Sequence, residues 1–371
     1  MTRILGLNTA TGKVVLSTSN SPLFVAEVPN ATNQSKVNHD QRLDFFGSLI
    51  EWAKVSNLGE TVLKSFGLVG LLAANIAETA FNFDIGFKRK IENIHNEKLF
   101  QPNHTDYFPP PDKNKIRFEE VFIPVPEANS SYDQIRLNPS QSQEPTLHGY
   151  YFPLKAELTM IYLHGYDGSA DESYKDCLEI QEHIPANMLI VDYRGFGKSQ
   201  GTPSREGVVK DVMAAYKYLE EVKNVKGDNI ILCGASLGAG ISFETADRLA
   251  QINKTLAGIT VLGSFSSVKD VAKWRFPHMP SFLILDDLFN SAKLVKKLHI
   301  PIFIAHGSND KATPNKQSLK IFNNTNNPKE LFILDGIGHD LVSQVPKETI
   351  SRYGKALRNF IERNILKKPF S

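Results

Sequence analysis

The chain predicts an α/β fold, a mostly parallel central sheet with helices on both faces, preceded by a mainly helical N-terminal extension. Three observations carry that prediction. From residue 113 onward, short apolar runs alternate with amphipathic stretches of helical period, the rhythm of strands joined by crossover helices. The runs are apolar at nearly every position rather than at every second one, as strands buried on both faces are. A turn of small residues, Gly234-Ala235-Ser236-Leu237-Gly238, joins one such run directly to a helical segment.

With 371 residues, the chain exceeds the roughly 250 that one core of this class needs, so a surplus segment is expected. Hydrophobic residues make up 41% and charged residues 22%, which excludes a disordered or fibrous class. The formal net charge is +2, so no global field points to a nucleic-acid partner. Cys177 and Cys233 are the only cysteines and lack metal-ligand spacing. Buried thiols in a reducing, cytoplasmic compartment are expected in place of a disulfide framework or a zinc site. Polar residues and Lys13 interrupt any apolar stretch at the N-terminus, so no cleavable signal is expected. The N-x-[ST] triplets at Asn103 and Asn129 are then chance matches.

Taken in order, residues 1–112 form the extension. Residues 1–38 mix a Val-rich segment with Asn, Thr and Ser, and from 39 to 100 the chain reads as helices, with Phe45, Leu49 and Trp52 at helical spacing. The uncharged run from Ser65 to Ala77 is flanked by Lys64 and Glu78 and is too short to span a bilayer. It is read as a helix packed on the body. Contact with a membrane surface, aided by Lys88, Arg89 and Lys90, is the alternative. Pro109 to Pro111 make a joint, and the catalytic domain is placed at 113–371.

That domain opens with strands near 117–123 and 147–152, whose polar, turn-rich connection predicts an antiparallel start to the sheet. Buried strands follow at LTMIYL, NMLIVDY, NIILCG, GITVLG, PIFIAHG and ELFILDG, separated by amphipathic stretches such as 206–222. A short lid is placed at about 265–298. Its Trp274, Phe276, Met279, Phe282 and Leu283 are available to line an apolar pocket or to pack the lid onto the core.

The chemistry is carried by four segments. NIILCGASLGAG runs from a strand through the small-residue turn into a helix, the setting of a nucleophile elbow with Ser236 at its tip. A serine hydroxyl is a weak nucleophile until a base takes its proton. The loop after the last strand supplies His339, preceded by two nearby glycines, in Asp335-Gly336-Ile337-Gly338-His339; an imidazole, with an ordinary pKa of about 6.5, exchanges protons near neutral pH. The preceding strand ends in PIFIAHGSNDKATP, which puts Asp310 in a turn at its carboxyl end, where ligand sites of such sheets form. Asp335 and Asp340 are competitors for orienting the histidine, but they neighbour it in sequence and suit its loop better. For the oxyanion of an acyl transfer, the expected donors are the N–H of Leu237 and that of Tyr166 in His164-Gly165-Tyr166-Asp167-Gly168. His164 is read as a structural residue of that loop. Asp192-Tyr193-Arg194-Gly195-Phe196-Gly197-Lys198-Ser199 contains GKS but has Asp192 where a phosphate loop needs glycine. It is read as a structural turn with Asp192 and Arg194 available for local ion pairing.

On HGYDG, DYRGFGKSQG, GASLGAG, HGSNDKATP and GIGHD, in this order, residues 113–366 resemble the serine-aminopeptidase-like branch of the α/β-hydrolase superfamily. That branch includes lipid esterases, lysophospholipases and protein depalmitoylases. The resemblance implies a serine hydrolase with Ser236 as nucleophile, His339 as base and Asp310 as its orienting acid, working without metal or organic cofactor. The leading expectation is hydrolysis of an ester or thioester with an apolar acyl chain, on a small-molecule or lipid substrate. A peptidase using lid acids such as Asp286 and Asp287 is the alternative, and a hydrolase-fold binding protein without activity is a third reading, since fold alone does not determine chemistry.

Overall fold

In the computed structural model of the protein, each of the six apolar runs is a strand, because a segment covered by helices on both sides has no solvent face to keep polar. The structure describes residues 2–8, 13–18, 21–27, 100, 102, 109–125, 145–275, 288–339 and 342–370. The chain divides into two units, Met1–Ala77 and Glu78–Ser371.

In the first unit, β1 (Thr2–Asn8), β2 (Lys13–Thr18) and β3 (Ser21–Glu27) form an antiparallel sheet in that order. Their content of Val, Thr, Leu and Phe favours a pleated backbone. The helices expected over 39–100, and with them the mainly helical character of the extension, lie outside the described residues apart from Phe100.

In the second unit, eight strands form one sheet in the order β11-β10-β9-β8-β6-β7-β5-β4. The edge strand β4 (Glu119–Pro124) and its neighbour β5 (Thr146–Phe152) pair antiparallel, and β5 also meets β7 antiparallel, so the antiparallel opening of the sheet is as expected. β6 (Leu158–Leu163), β7 (Ala186–Val191), β8 (Ile230–Ala235), β9 (Gly258–Leu262), β10 (Ile302–Gly307) and β11 (Lys329–Leu334) run parallel.

The crossovers divide between two faces. On one, α2 (Arg205–Glu221) and α3 (Leu237–Gln251) pack against Ile161, Leu163, Leu189, Val191, Leu232 and Ile304. On the other, α1 (Ala170–His183) and α7 (Lys347–Ile361) pack against Met160, Tyr162, Met188, Ile190, Ile231 and Phe303. Odd and even residues of one strand therefore enter different cores, and each fully buried aliphatic side chain contributes about 1.5–3 kcal/mol. Ser169 starts α1 by accepting the Glu172 N–H, and Ser204 starts α2 by accepting that of Gly207. The lid keeps α4 (Val268–Arg275) and α5 (Ser291–Leu294); α6 (Lys316–Asn324) joins β10 to β11.

Phe100 lies ahead of the proline joint yet is buried in the core of the second unit, edge-on to Phe196. The division after Ala77 thus falls ahead of the boundary placed at 112, on the side that keeps Phe100 with the core it fills.

Candidate active site

Because the parallel strands all point the same way, the segments leaving β6, β8, β10 and β11 gather at one edge of the sheet, where open α/β sheets bind ligands. Ser236 follows β8 and precedes α3. Its backbone is held at φ 52° and ψ −112°, a conformation a residue with a Cβ adopts at a cost of about 1–3 kcal/mol. The neighbouring sequence explains how that turn is tight enough to present Oγ outward. A Cβ on Gly238 would overlap the carbonyl oxygen of Leu163, and one on Gly234 would overlap that of Gly238. The Ser236 N–H is tied to the end of β9 by donation to Leu262 O at 2.9 Å.

His339 arrives from the loop after β11. Its Nε2 lies 2.9 Å from Ser236 Oγ and its Nδ1 2.6 Å from Asp310 Oδ2. The structure therefore brings Ser236, His339 and Asp310 into one hydrogen-bonded line, with the Ser236 hydroxyl donating to Nε2 and Nδ1–H donating to the carboxylate.

Asp310 is held from several sides. Oδ1 accepts the backbone N–H groups of Ala312 and Thr313, both at 2.8 Å. Oδ2 faces His339, the Thr313 hydroxyl at 3.1 Å and His306 Nε2 at 3.2 Å. Burial pushes the carboxyl up, but hydrogen bonds from His306, His339 and the Thr313 backbone outweigh it and hold Asp310 well below the ordinary carboxylate range. An acid so held stays ionised opposite an imidazolium. Thr313 escaped the sequence reading. Its hydroxyl also lies 3.2 Å from Gly263 O and 3.3 Å from His339 Nδ1, and the D-x-x-T spacing of an Asx-type turn was the available signal.

The competitors are elsewhere. Asp335 accepts from the Ser308 hydroxyl at 3.2 Å, and Asp340 lies outside the described residues. His164 is buried behind the cleft, its ring against Tyr193 and Phe196, where burial pushes its pKa down. The Tyr193 hydroxyl donates to His164 O at 3.1 Å, which braces the loop carrying Tyr166.

That loop lies against the elbow, for a Cβ on Gly165 would be 3.8 Å from the Ser236 Cβ. Leu237 is the first residue of α3, where a helical N–H has no intrahelical partner. The two expected oxyanion donors thus sit on segments flanking Ser236. The cleft in front is lined by the apolar Leu262, Leu334, Ile337 and Val345 and by the acidic Asp167 and Glu172. Burial, and then the Asp167 charge, push the Glu172 carboxyl up.

The turn after β7 was read as structural, with Asp192 and Arg194 available for ion pairs, and both have buried partners. Asp192 accepts the Ala170 N–H at 2.6 Å and bonds His148 Nδ1 at 3.1 Å, while Arg194 is held by Asp211 of α2 at 2.7 Å. Trp274 is exposed at the end of α4 and does not border the cleft. Phe276, Met279, Phe282, Leu283, Asp286 and Asp287 lie outside the described residues. Cys177 and Cys233 are free and buried, and burial pushes both thiols up. Among the described residues no helix is long and apolar enough to cross a membrane.

Comparison with known proteins agrees with this architecture. A model of the family described as alpha/beta hydrolase fold matches residues 159–294. The chain is 29% identical over 231 residues to YfhR of Salmonella typhi, an uncharacterized protein, covering 58% of this chain and 77% of that one. It is 24% identical over 219 residues to the protein bem46 of Schizosaccharomyces pombe, covering 57% and 71%. Among solved structures it resembles an esterase of Pyrococcus furiosus, at 20% identity and a TM-score of 0.54, over 72% of this chain and 98% of the esterase.

Proposed function

From the premise that this chain is an α/β hydrolase by fold, we propose that it is a serine hydrolase cleaving carboxylic esters or thioesters through an acyl-enzyme on Ser236. The observation that carries the reading is the continuous line from Ser236 Oγ through His339 to Asp310, at 2.9 and 2.6 Å, beginning at a serine on a strained elbow.

In the first half-reaction Ser236 Oγ attacks the carbonyl carbon while its proton passes to His339 Nε2. Asp310 remains a carboxylate and stabilises the imidazolium through Nδ1–H. The N–H groups of Leu237 and Tyr166 hold the oxyanion of the tetrahedral intermediate. His339 then gives its proton to the departing alkoxide or thiolate. In the second half-reaction water attacks the acyl group, His339 takes the water proton, and the acid leaves as Ser236 recovers its own. No other group is needed to balance either half. The apolar wall of Leu262, Leu334, Ile337 and Val345 favours an acyl chain without charge, of the lipid or acyl-protein type. A membrane-surface contact through the extension remains part of this proposal.

The test is labelling of wild type and Ser236→Ala with a fluorophosphonate, beside turnover of p-nitrophenyl esters, acyl-thioesters and p-nitroanilides of increasing chain length. Ser236-dependent labelling and a chain-length optimum on esters or thioesters are expected. Faster anilide than ester turnover would move the assignment to a peptidase, and an inert wild type would leave a binding protein.

A further inference from the structure

The geometry points to His306 as a positioning residue that acts on Asp310 through Oδ2, the same carboxylate oxygen that meets His339. This inference rests on the triad proposed above. It begins with an oddity of β10. On the face it turns toward α2 and α3, that strand presents Ile302 and Ile304, and the next residue in the alternation is His306, buried without exposure. A third aliphatic residue would fill that place without the cost of burying an imidazole, which is met only if both nitrogens are bonded.

Both are bonded, and the pattern identifies the tautomer. Nε2 lies 2.7 Å from the carbonyl oxygen of Thr313 and 3.2 Å from Asp310 Oδ2. A carbonyl and a carboxylate only accept, so Nε2 carries the proton. Nδ1 lies 2.6 Å from Ser318 Oγ, which is 2.6 Å from Ser264 Oγ. One line of polar contacts thus runs from the buried Ser264, Ser318, His306 and Asp310 to His339 and Ser236 at the cleft, and its buried outer half has no place in the reaction as written above.

Its physical effect follows from sharing. The one proton on Nε2 is given to Thr313 O at 2.7 Å and also faces, at 3.2 Å, the oxygen that receives Nδ1–H of His339 at 2.6 Å, so its partial positive charge weakens the hold of Asp310 on an imidazolium at His339. It also blocks rotation of the carboxylate away from the base. Around Asp310 the ionisable groups are His306 and His339 alone among its described contacts. Around His339, Asp310 lies on one side, and Asp167 and Glu172 face the cleft from the loop after β6 and from α1. Without the His306 donor, Asp310 binds a protonated His339 more tightly, and the free base is reached only at higher pH.

The test compares the full chain as wild type, Ser236→Ala, His306→Phe and His306→Gln, whose side-chain amide N–H occupies the place of Nε2–H. Histidine-labelled protein is titrated by NMR on the His339 ring, and hydrolysis of a p-nitrophenyl ester is followed against pH. In His306→Phe the His339 midpoint and the acid limb of kcat/KM are expected to move up by roughly 0.5–1 pH unit, and His306→Gln to recover most of that displacement. A midpoint unchanged in folded His306→Phe, or displaced equally in His306→Gln, overturns the assignment; a residue that only supports packing would lower stability without moving it. If His306→Phe does not fold, Asp310→Asn decides. The Nε2 proton resonance of His306 must move when its acceptor changes, and an unmoved resonance overturns the contact. Failure of the triad is read separately: hydrolysis that persists in Ser236→Ala removes the parent reading, whereas the His339 titration judges the contact in either case.

Discussion

Ser236 and Asp310 each combine an unfavourable local state with a compensating surrounding. The elbow strains Ser236 because a Cβ is held at positive φ, so Ser236→Gly is expected to be more stable than Ser236→Ala by about 1–2 kcal/mol, in urea unfolding, although both lack the nucleophile. The reverse order would mean that the elbow carries no strain. At Asp310 the native pKa is depressed, so the unfolded chain binds the proton more readily. The resulting stability is fully present above the unfolded value of about 3.9 and is lost as pH falls through the lower native value. Asp310→Asn, whose amide would turn an N–H toward existing donors, should therefore unfold at lower urea than wild type near pH 7. That gap should narrow below about pH 4, and a gap independent of pH would mean that the charge is not what stabilises the fold here.

At the scale of elements, the site is a consequence of how closely β6, β8 and α3 approach one another. Gly238 sits at the first turn of α3, against the Leu163 carbonyl at the end of β6, and that closeness sets the distance between the elbow and the loop bearing Tyr166. Gly238→Ala forces helix and strand apart. An overlap with backbone cannot be relieved by a rotamer change, so a loss of about 3 kcal/mol or more is expected, with hydrolysis falling further than stability as the two proposed oxyanion donors separate. Wild-type stability in Gly238→Ala would show that the approach is not tight. The turn after β7 works in the same way at longer range. Asp192 joins the start of α1 to His148 of β5, and Arg194 joins the turn to α2, so one loop ties both helix layers to the sheet.

For the whole molecule, the relevant question is where the catalytic body begins. Phe100 is 1% exposed and fills a place in its core, so Phe100→Ala should cost about 3–5 kcal/mol. A chain shortened to begin at residue 113 should share that loss, whereas one beginning at residue 78 should keep wild-type stability of the body and its ester hydrolysis. Equal urea midpoints for the two shortened chains would place Phe100 outside the core. The outcome bears on the proposed membrane contact, because liposome binding must be compared between chains whose catalytic bodies are equally intact.

Much of this was legible in the sequence, and for one reason. Burial on two faces writes itself as uninterrupted apolar runs, and a strand-turn-helix joint writes itself as small residues around Ser236; both are local patterns read along the chain. The succession of strands along the chain and the places of Ser236, Asp310 and His339 after them followed from such patterns. What the sequence could not carry was contact between segments far apart in it. His339 reaches Asp310 across 29 residues, His148 and the Ala170 N–H reach Asp192 across 44 and 22, and Phe100 joined a core from beyond a proline joint that reads as a boundary. Sequence by itself determined the class of sheet and the residues proposed to react. Tertiary structure alone decided which buried groups share the Asp310 carboxylate, because hydrogen bonds there depend on distances of about 3 Å between segments whose separation along the chain has no bearing on them.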